Sequence, residues 1–264
     1  MMHNRGIAGT TTLVTGAAGG IGTAVVQTLA GLGATVAAVD HDAERLHETA
    51  KSMADDGLAT LPYPADVTDS ANVNDTVARV ERELGPIQHL VNAAGVLLPR
   101  KVCDLTDEEW AAMFAVNTTG VFFTSRAVLA RMTQRSSGSM VTVASNAAGT
   151  ARTEMAAYAA SKAAATAFTK CLGLEAAHHG IRCNVVAPGS TDTPMLSSLW
   201  GDSREAGERV SIEGAPEAYR VGIPLRKLAT PSDVAEAVAF LLSDQASHIT
   251  MQDLIVDGGA TLGA

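Results

Sequence analysis

Short runs rich in β-branched residues alternate with longer stretches of helical period along this chain, and that rhythm leaves few folds open. Residues 11–15, 35–39, 59–65, 89–92, 139–144, 182–187 and 253–256 read as strands. Residues 21–31, 42–54, 70–84, 107–133, 156–179 and 231–242 read as helices between them. A β-α-β alternation requires a parallel sheet with helices on both faces. The expected fold is therefore α/β and doubly wound, one domain over residues 1–264 with no internal repeat. Only 194–226 breaks the rhythm, with Gly, Pro, Ser and charges. Such an insert is either a lid or a disordered loop; its Met195, Leu196, Leu199 and Trp200 favour a lid.

A chain of 264 residues can bury a core without disulfides or metal. Its 28 acidic against 19 basic side chains give a formal charge of −9, which argues against a sequence-independent nucleic-acid partner. No apolar run approaches the roughly 18 residues of a membrane span. Residues 1–6 lack the apolar stretch of an export signal, so a cytoplasmic location is expected. Cys103, Cys171 and Cys183 are odd in number and lack CxxC spacing, as expected of reduced thiols. The seven histidines form no cluster of ligand spacing, so no metal is expected.

The first strand runs into Thr15-Gly16-Ala17-Ala18-Gly19-Gly20-Ile21-Gly22 and then a helix. A glycine-rich strand-to-helix turn lets backbone approach a pyrophosphate, and the helix start offers free N–H groups. The same glycines also suit a plain turn. Asp40, at the end of the second strand, is placed to accept from adenosine ribose hydroxyls and to repel a 2′-phosphate, which favours NAD over NADP. Arg45 is the nearby cation that opposes this preference. Asp66-Val67 and Asn92-Ala93-Ala94-Gly95 end the next two strands and outline the rest of a dinucleotide crevice.

Tyr158 has a lysine four residues on, Lys162, so phenol and ammonium share a helix face. A nearby cation favours the phenolate, and such a base can take a proton from an alcohol. Ser145, at a strand end, offers a hydroxyl to a developing alkoxide, although it also suits a helix cap. Asn117 is a polar residue in an apolar stretch, which also fits a satisfied buried amide or a kink.

In order and spacing, Thr15 to Gly22, Asn92 to Gly95, Asn117, Ser145, Tyr158/Lys162 and Pro188-Gly189 resemble the short-chain dehydrogenase/reductase family over nearly the whole chain. The resemblance implies a Rossmann-type fold with a seven-stranded parallel sheet and an Asn-Ser-Tyr-Lys tetrad. Tyr158 would be the acid/base, and Lys162 would bind nicotinamide ribose and lower the phenol pKa. Ser145 would hold the reacting oxygen and Asn117 would position a relay water. Pro188, Thr191 and Thr193 would flank the nicotinamide, and a homotetramer is implied by the same analogy.

Within that family, stretches including Ser145-Asn146-Ala147-Ala148 and Gly189-Ser190-Thr191-Asp192-Thr193 resemble enzymes that oxidise a cyclohexadiene diol carboxylate to an aromatic ring. Such a small-molecule substrate is expected among Ser145, Arg152, Met155, Tyr158, Met195, Leu199 and Trp200, with Arg152 on the carboxylate. Arg152 also suits a surface position, and the apolar insert residues also suit a subunit contact. An amino analogue of the diol remains open, as does a catalytically silent NAD-binding regulator. A thioester reductase is disfavoured by Asp40 and by the lack of a basic rim for an acidic carrier.

Overall fold

The computed structural model describes residues 6–201 and 203–263. Residues 1–5, which enter the export expectation, lie outside the described residues, as do Asp202 and Ala264. Seven strands form one parallel sheet: β1 (Thr11–Thr15), β2 (Thr35–Asp40), β3 (Thr60–Pro64), β4 (Ile87–Asn92), β5 (Gly138–Val143), β6 (Ile181–Pro188) and β7 (Asp253–Val256). Their spatial order is β3-β2-β1-β4-β5-β6-β7. The chain thus winds outward in both directions from the β1/β4 seam, where a crevice must open beyond the strand ends.

Alternation along the strands divides the core in two. Val14, Val36, Ala38, Val91 and Val141 face one way, against Val25, Val26 and Leu29 of α1 (Gly20–Gly31) and Val234 and Val238 of α9 (Pro231–Leu242). Their neighbours Leu13, Ala37, Val39, Leu90 and Met140 face the other way. There they meet α3 (Ser70–Leu84), α5 (Val121–Arg135) and α6 (Ala156–Ala176). A period of two with apolar residues on both faces is what a sheet covered on both sides demands. Helix α2 (Ala43–Asp55) adds Leu46 and Met53 to the first face. Among the described residues, no helix is long and apolar enough to cross a membrane.

Two expectations need correction. Residues 107–133 do not form one continuous helix: α4 (Asp107–Phe114) passes through a π turn, Ala115–Gly120, into α5. Here Gly120 lies against Val67, and a Cβ on it would sit 2.8 Å from Val67 Cγ2. Thr118 Oγ1 donates to the Ser161 carbonyl of α6 at 2.9 Å. A π turn re-aims one turn of helix at the cost of regular pairing, which suits such a cross-tie. The insert, in turn, is not irregular throughout. It contains α7 (Pro194–Ser197), capped by Thr193, and α8 (Arg204–Glu213), capped by Ser203. Arg204 Nη2 donates to both carboxylate oxygens of Asp192 at 2.8 Å, fastening α8 to the loop after β6.

Candidate active site

A crevice of about 420 Å³ opens where the sheet order reverses. Gly16, Gly20, Ile21 and Gly22 line it beside Asp40, Asp66, Val67, Ala93, Gly95 and Thr193. Each glycine has a local reason. Gly16 adopts φ +68°, and a Cβ there would meet Ala94 N at 2.6 Å, so the exits of β1 and β4 touch backbone to backbone. A Cβ on Gly22 would run into the Gly16 carbonyl, and one on Gly20 would strike the Thr193 side chain at 2.7 Å. The cradle thus keeps bare backbone N–H groups at the start of α1, as a pyrophosphate requires.

At the far end of the crevice, Asp40 Oδ2 accepts from Ala18 N at 3.0 Å, and Oδ1 accepts from Asp42 N at 3.2 Å. One carboxylate therefore ties β2 to the glycine turn and still has lone pairs for ribose hydroxyls. Asp66 Oδ1 accepts from Thr68 N at 2.8 Å and Thr68 Oγ1 at 2.7 Å. These bonds, the backbone one foremost, hold its carboxyl below the usual range, so it stays an acceptor for an amino group. His41, Thr68, Val96 and Val116 also line the crevice. Sequence patterns did not single them out, because each follows a strand end or a helix turn whose path only the fold defines.

The chemistry gathers at the other end. Tyr158 and Lys162 lie on the buried face of α6, 8% and 5% exposed. The Ser145 hydroxyl reaches Tyr158 and pulls its phenol down, but burial is the larger force and the net shift is upward. Lys162 Nζ donates to the Val143 carbonyl at 2.9 Å and lies 6.0 Å from the Tyr158 ring centroid. Burial pushes its ammonium down to about 8. Lys162 thus lies beside the phenol, and Ser145 is the group that opposes burial there. A Cβ on Gly95 would sit 3.1 Å from Lys162 Nζ and 3.3 Å from Asn117 Oδ1, so the bare backbone there lets the lysine reach the crevice wall.

Asn117 is fully buried. Its Oδ1 accepts from Val96 N at 2.8 Å, and its Nδ2 donates to the Val96 carbonyl at 2.9 Å and Ser161 Oγ at 3.0 Å. The side chain clamps the loop after β4 to α6. The Asn92 side chain is engaged in the same way: its Nδ2 donates to Ser125 Oγ at 2.9 Å and its Oδ1 accepts from Thr124 Oγ1 at 2.6 Å, inside the sheet–helix contact. Thr191 Oγ1 turns inward to the Gly189 carbonyl at 3.2 Å, and Pro188 ends β6 without lining the crevice.

On the substrate side, Met155 packs with Tyr158, Met113 and Ala147 in a small apolar cluster. Met195 lines the crevice, and Leu199 is partly exposed. Trp200 is not a lining residue: it packs so tightly over Gly207 of α8 that a Cβ there would overlap the indole. It is the insert's own core. Asn146, missed in the sequence, donates from Nδ2 to Asp257 Oδ2 at 3.1 Å, and that carboxylate also accepts from Thr261 N and Oγ1 at 2.9 Å. This hub braces the residue next to Ser145. Only the β7 register, invisible in sequence, brings Asp257 there.

Comparison with known proteins agrees with this geometry. Residues 16–261 match the family model described as Enoyl-(Acyl carrier protein) reductase. The chain is 57% identical over 262 residues to 2,3-dihydro-2,3-dihydroxybenzoate dehydrogenase of Bacillus subtilis (strain 168), covering 99% of this chain and 100% of that one. It is 41% identical to the protein of the same name in Escherichia coli (strain K12), covering 95% and 96%. A short-chain type dehydrogenase/reductase of Mycobacterium marinum superposes with a TM-score of 0.87 at 31% identity, covering 97% and 96%. With its seven-stranded parallel sheet, glycine cradle and buried Ser145, Tyr158 and Lys162, the chain belongs to the short-chain dehydrogenase/reductase family.

Proposed function

We propose that the protein oxidises 2,3-dihydro-2,3-dihydroxybenzoate to 2,3-dihydroxybenzoate with NAD⁺, yielding NADH and a proton. The observation that carries this reading is the 57% identity to a dehydrogenase of that substrate, end to end in both chains. The chemistry suits the site. Bound in the crevice, NAD⁺ supplies the hydride acceptor. Tyr158 takes the hydroxyl proton of the carbinol as the C–H bond gives up its hydride. Ser145 holds the same oxygen as it becomes a carbonyl, and Lys162 keeps a cation beside that end of the crevice. The resulting ketone enolises to an aromatic ring, which draws the oxidation forward. The apolar cluster of Met113, Met155 and Ala147 suits the flat ring, and Arg152 is the cation we assign to its carboxylate.

A catechol acid of this kind chelates iron, which fits siderophore or related secondary metabolism in the cytoplasm; a homotetramer is the form we expect. The test is turnover of the authentic dihydrodiol acid beside its amino analogue, followed as NADH absorbance. Robust turnover of the hydroxyl acid is expected. Growth of absorbance only with the amino analogue would transfer the reading to 2,3-dihydro-3-hydroxyanthranilate, and none with either would favour an NAD-binding regulator.

Asp40 sets the cofactor preference. A carboxylate near a 2′-phosphate costs a few kcal/mol at intermediate dielectric. Asp40→Asn keeps an acceptor for Ala18 N and removes the charge. Its ratio of kcat/KM for NAD⁺ over NADP⁺ is expected to fall about 10- to 100-fold. An unaltered ratio would place the discrimination elsewhere.

A further inference from the structure

Arg152 and Arg220 arrive at the same place from distant parts of the chain. Arg152 lies in the loop between Ser145 and Tyr158. Arg220 belongs to the insert, where it pairs with Ala215 in an antiparallel bridge, and the left-handed Tyr219 (φ 53°) turns the chain into it. Arg220 Nη2 donates to Ser190 Oγ at 3.0 Å. Ser190 follows Gly189, which lies so close to the hub that a Cβ would meet Asp257 Cβ at 2.6 Å and Asn146 Nδ2 at 3.2 Å. Arg220 is thereby moored to the loop packed against the neighbour of Ser145.

Neither guanidinium is neutralised. Among the described residues, no carboxylate lies within ion-pairing distance of either one. Asp257 favours the Arg152 charge, but its oxygens are already engaged by Asn146, Gly259 and Thr261. Both arginines are half-buried, and Arg152 is near enough to repel Arg220. Two partly desolvated like charges on loops that meet next to Ser145 are unfavourable until an anion joins them, and planar guanidiniums suit a carboxylate.

We propose that Arg220 and Arg152 form a two-arginine clamp for the substrate carboxylate, one arm from the insert and one from the catalytic loop. The clamp rests on the substrate reading above and adds to it the residue that makes the acid group a requirement. An acidic ring relieves the repulsion and draws the two arms together; a neutral ring leaves it in place.

The test compares Arg220→Met and Arg220→Lys with the unaltered enzyme, using the dihydrodiol acid and its methyl ester. It adds calorimetry of benzoate and benzamide against the NADH-loaded protein. Arg220→Met is expected to raise KM for the acid about 30-fold or more, with kcat within about threefold and the ester unaffected. Arg220→Lys, which keeps stem and charge, recovers part of the loss. The unaltered protein should bind benzoate at least about tenfold more tightly than benzamide, and Arg220→Met should erase that preference. An unchanged KM for the acid, or equal losses with acid and ester, overturns the clamp while leaving the substrate reading standing. Failure to oxidise the dihydrodiol acid, with the benzoate preference present and lost in Arg220→Met, overturns the substrate reading and keeps the clamp.

Discussion

Replacing Tyr158 by phenylalanine is expected to lower kcat at least about a thousandfold, or about 4 kcal/mol of barrier, while NADH binding stays within about twofold. The ring remains in its cluster with Met113, Met155 and Ala147; only the oxygen beside Ser145 is lost. No other group the site places against that hydroxyl can take its role. Ser145 is an alcohol that already accepts from Ala147 N at 3.1 Å, and the Lys162 amine is held by the Val143 carbonyl. The pH profile supplies a second reading. Burial keeps the phenol protonated to higher pH, so oxidation should speed up as pH rises and the base forms. The residual rate of the phenylalanine variant should lack that dependence. Retention of more than about a tenth of kcat, with the alkaline rise intact, would remove Tyr158 from the chemistry.

Lys162→Met is expected to abolish useful turnover and yet stabilise the fold at neutral pH. Burial takes the ammonium from 10.5 to about 8, a penalty of about 3 kcal/mol. The sign follows from proton binding. Between pH 8 and 10.5 the unfolded chain holds a proton that the folded chain has released, so stability rises with pH across that window. Below about pH 8 the full penalty applies. Methionine removes it but leaves the Val143 carbonyl without its donor, at about 2 kcal/mol. The variant should therefore be about 1 kcal/mol more stable at pH 7 and less stable than the unaltered protein by pH 10. Denaturant midpoints at the two pH values decide the matter; a difference that does not vary with pH would show that the lysine is buried without cost. The activity loss is expected at about 10²-fold or more, with weaker NADH binding, because the cation lies against Gly95 of the crevice wall.

The contrast between these two residues shows what the sequence makes legible. The strands emerge from their period because each is apolar on both faces, and all seven are found within two residues of their expected limits at both ends. The dinucleotide crevice emerges from glycines and acids at successive strand ends, since topology alone brings those ends together. What stays hidden depends on contacts between distant segments. The π turn at Asn117 answers to Val67 and Ser161, and neither relation has a local signature. Asn92 is a strand-end amide in any reading, and only α5 reveals that Thr124 and Ser125 consume it. Trp200 has the composition of a lid residue, but the bare Gly207 opposite turns it inward. Arg220 sits in a stretch without periodicity, so nothing but the fold could set it beside Arg152.

The Asn146–Asp257 bond spans 111 residues of chain, and it steadies the residue beside the catalytic serine. A growing polypeptide acquires Ser145, Tyr158 and Lys162 long before it has Asp257. The brace forms only when the seventh strand has docked against the sixth, so a nascent or half-assembled molecule lacks a properly held serine however well its first strands have folded. Catalytic competence thereby becomes the last property the protein acquires, and its appearance during refolding would report completion of the sheet.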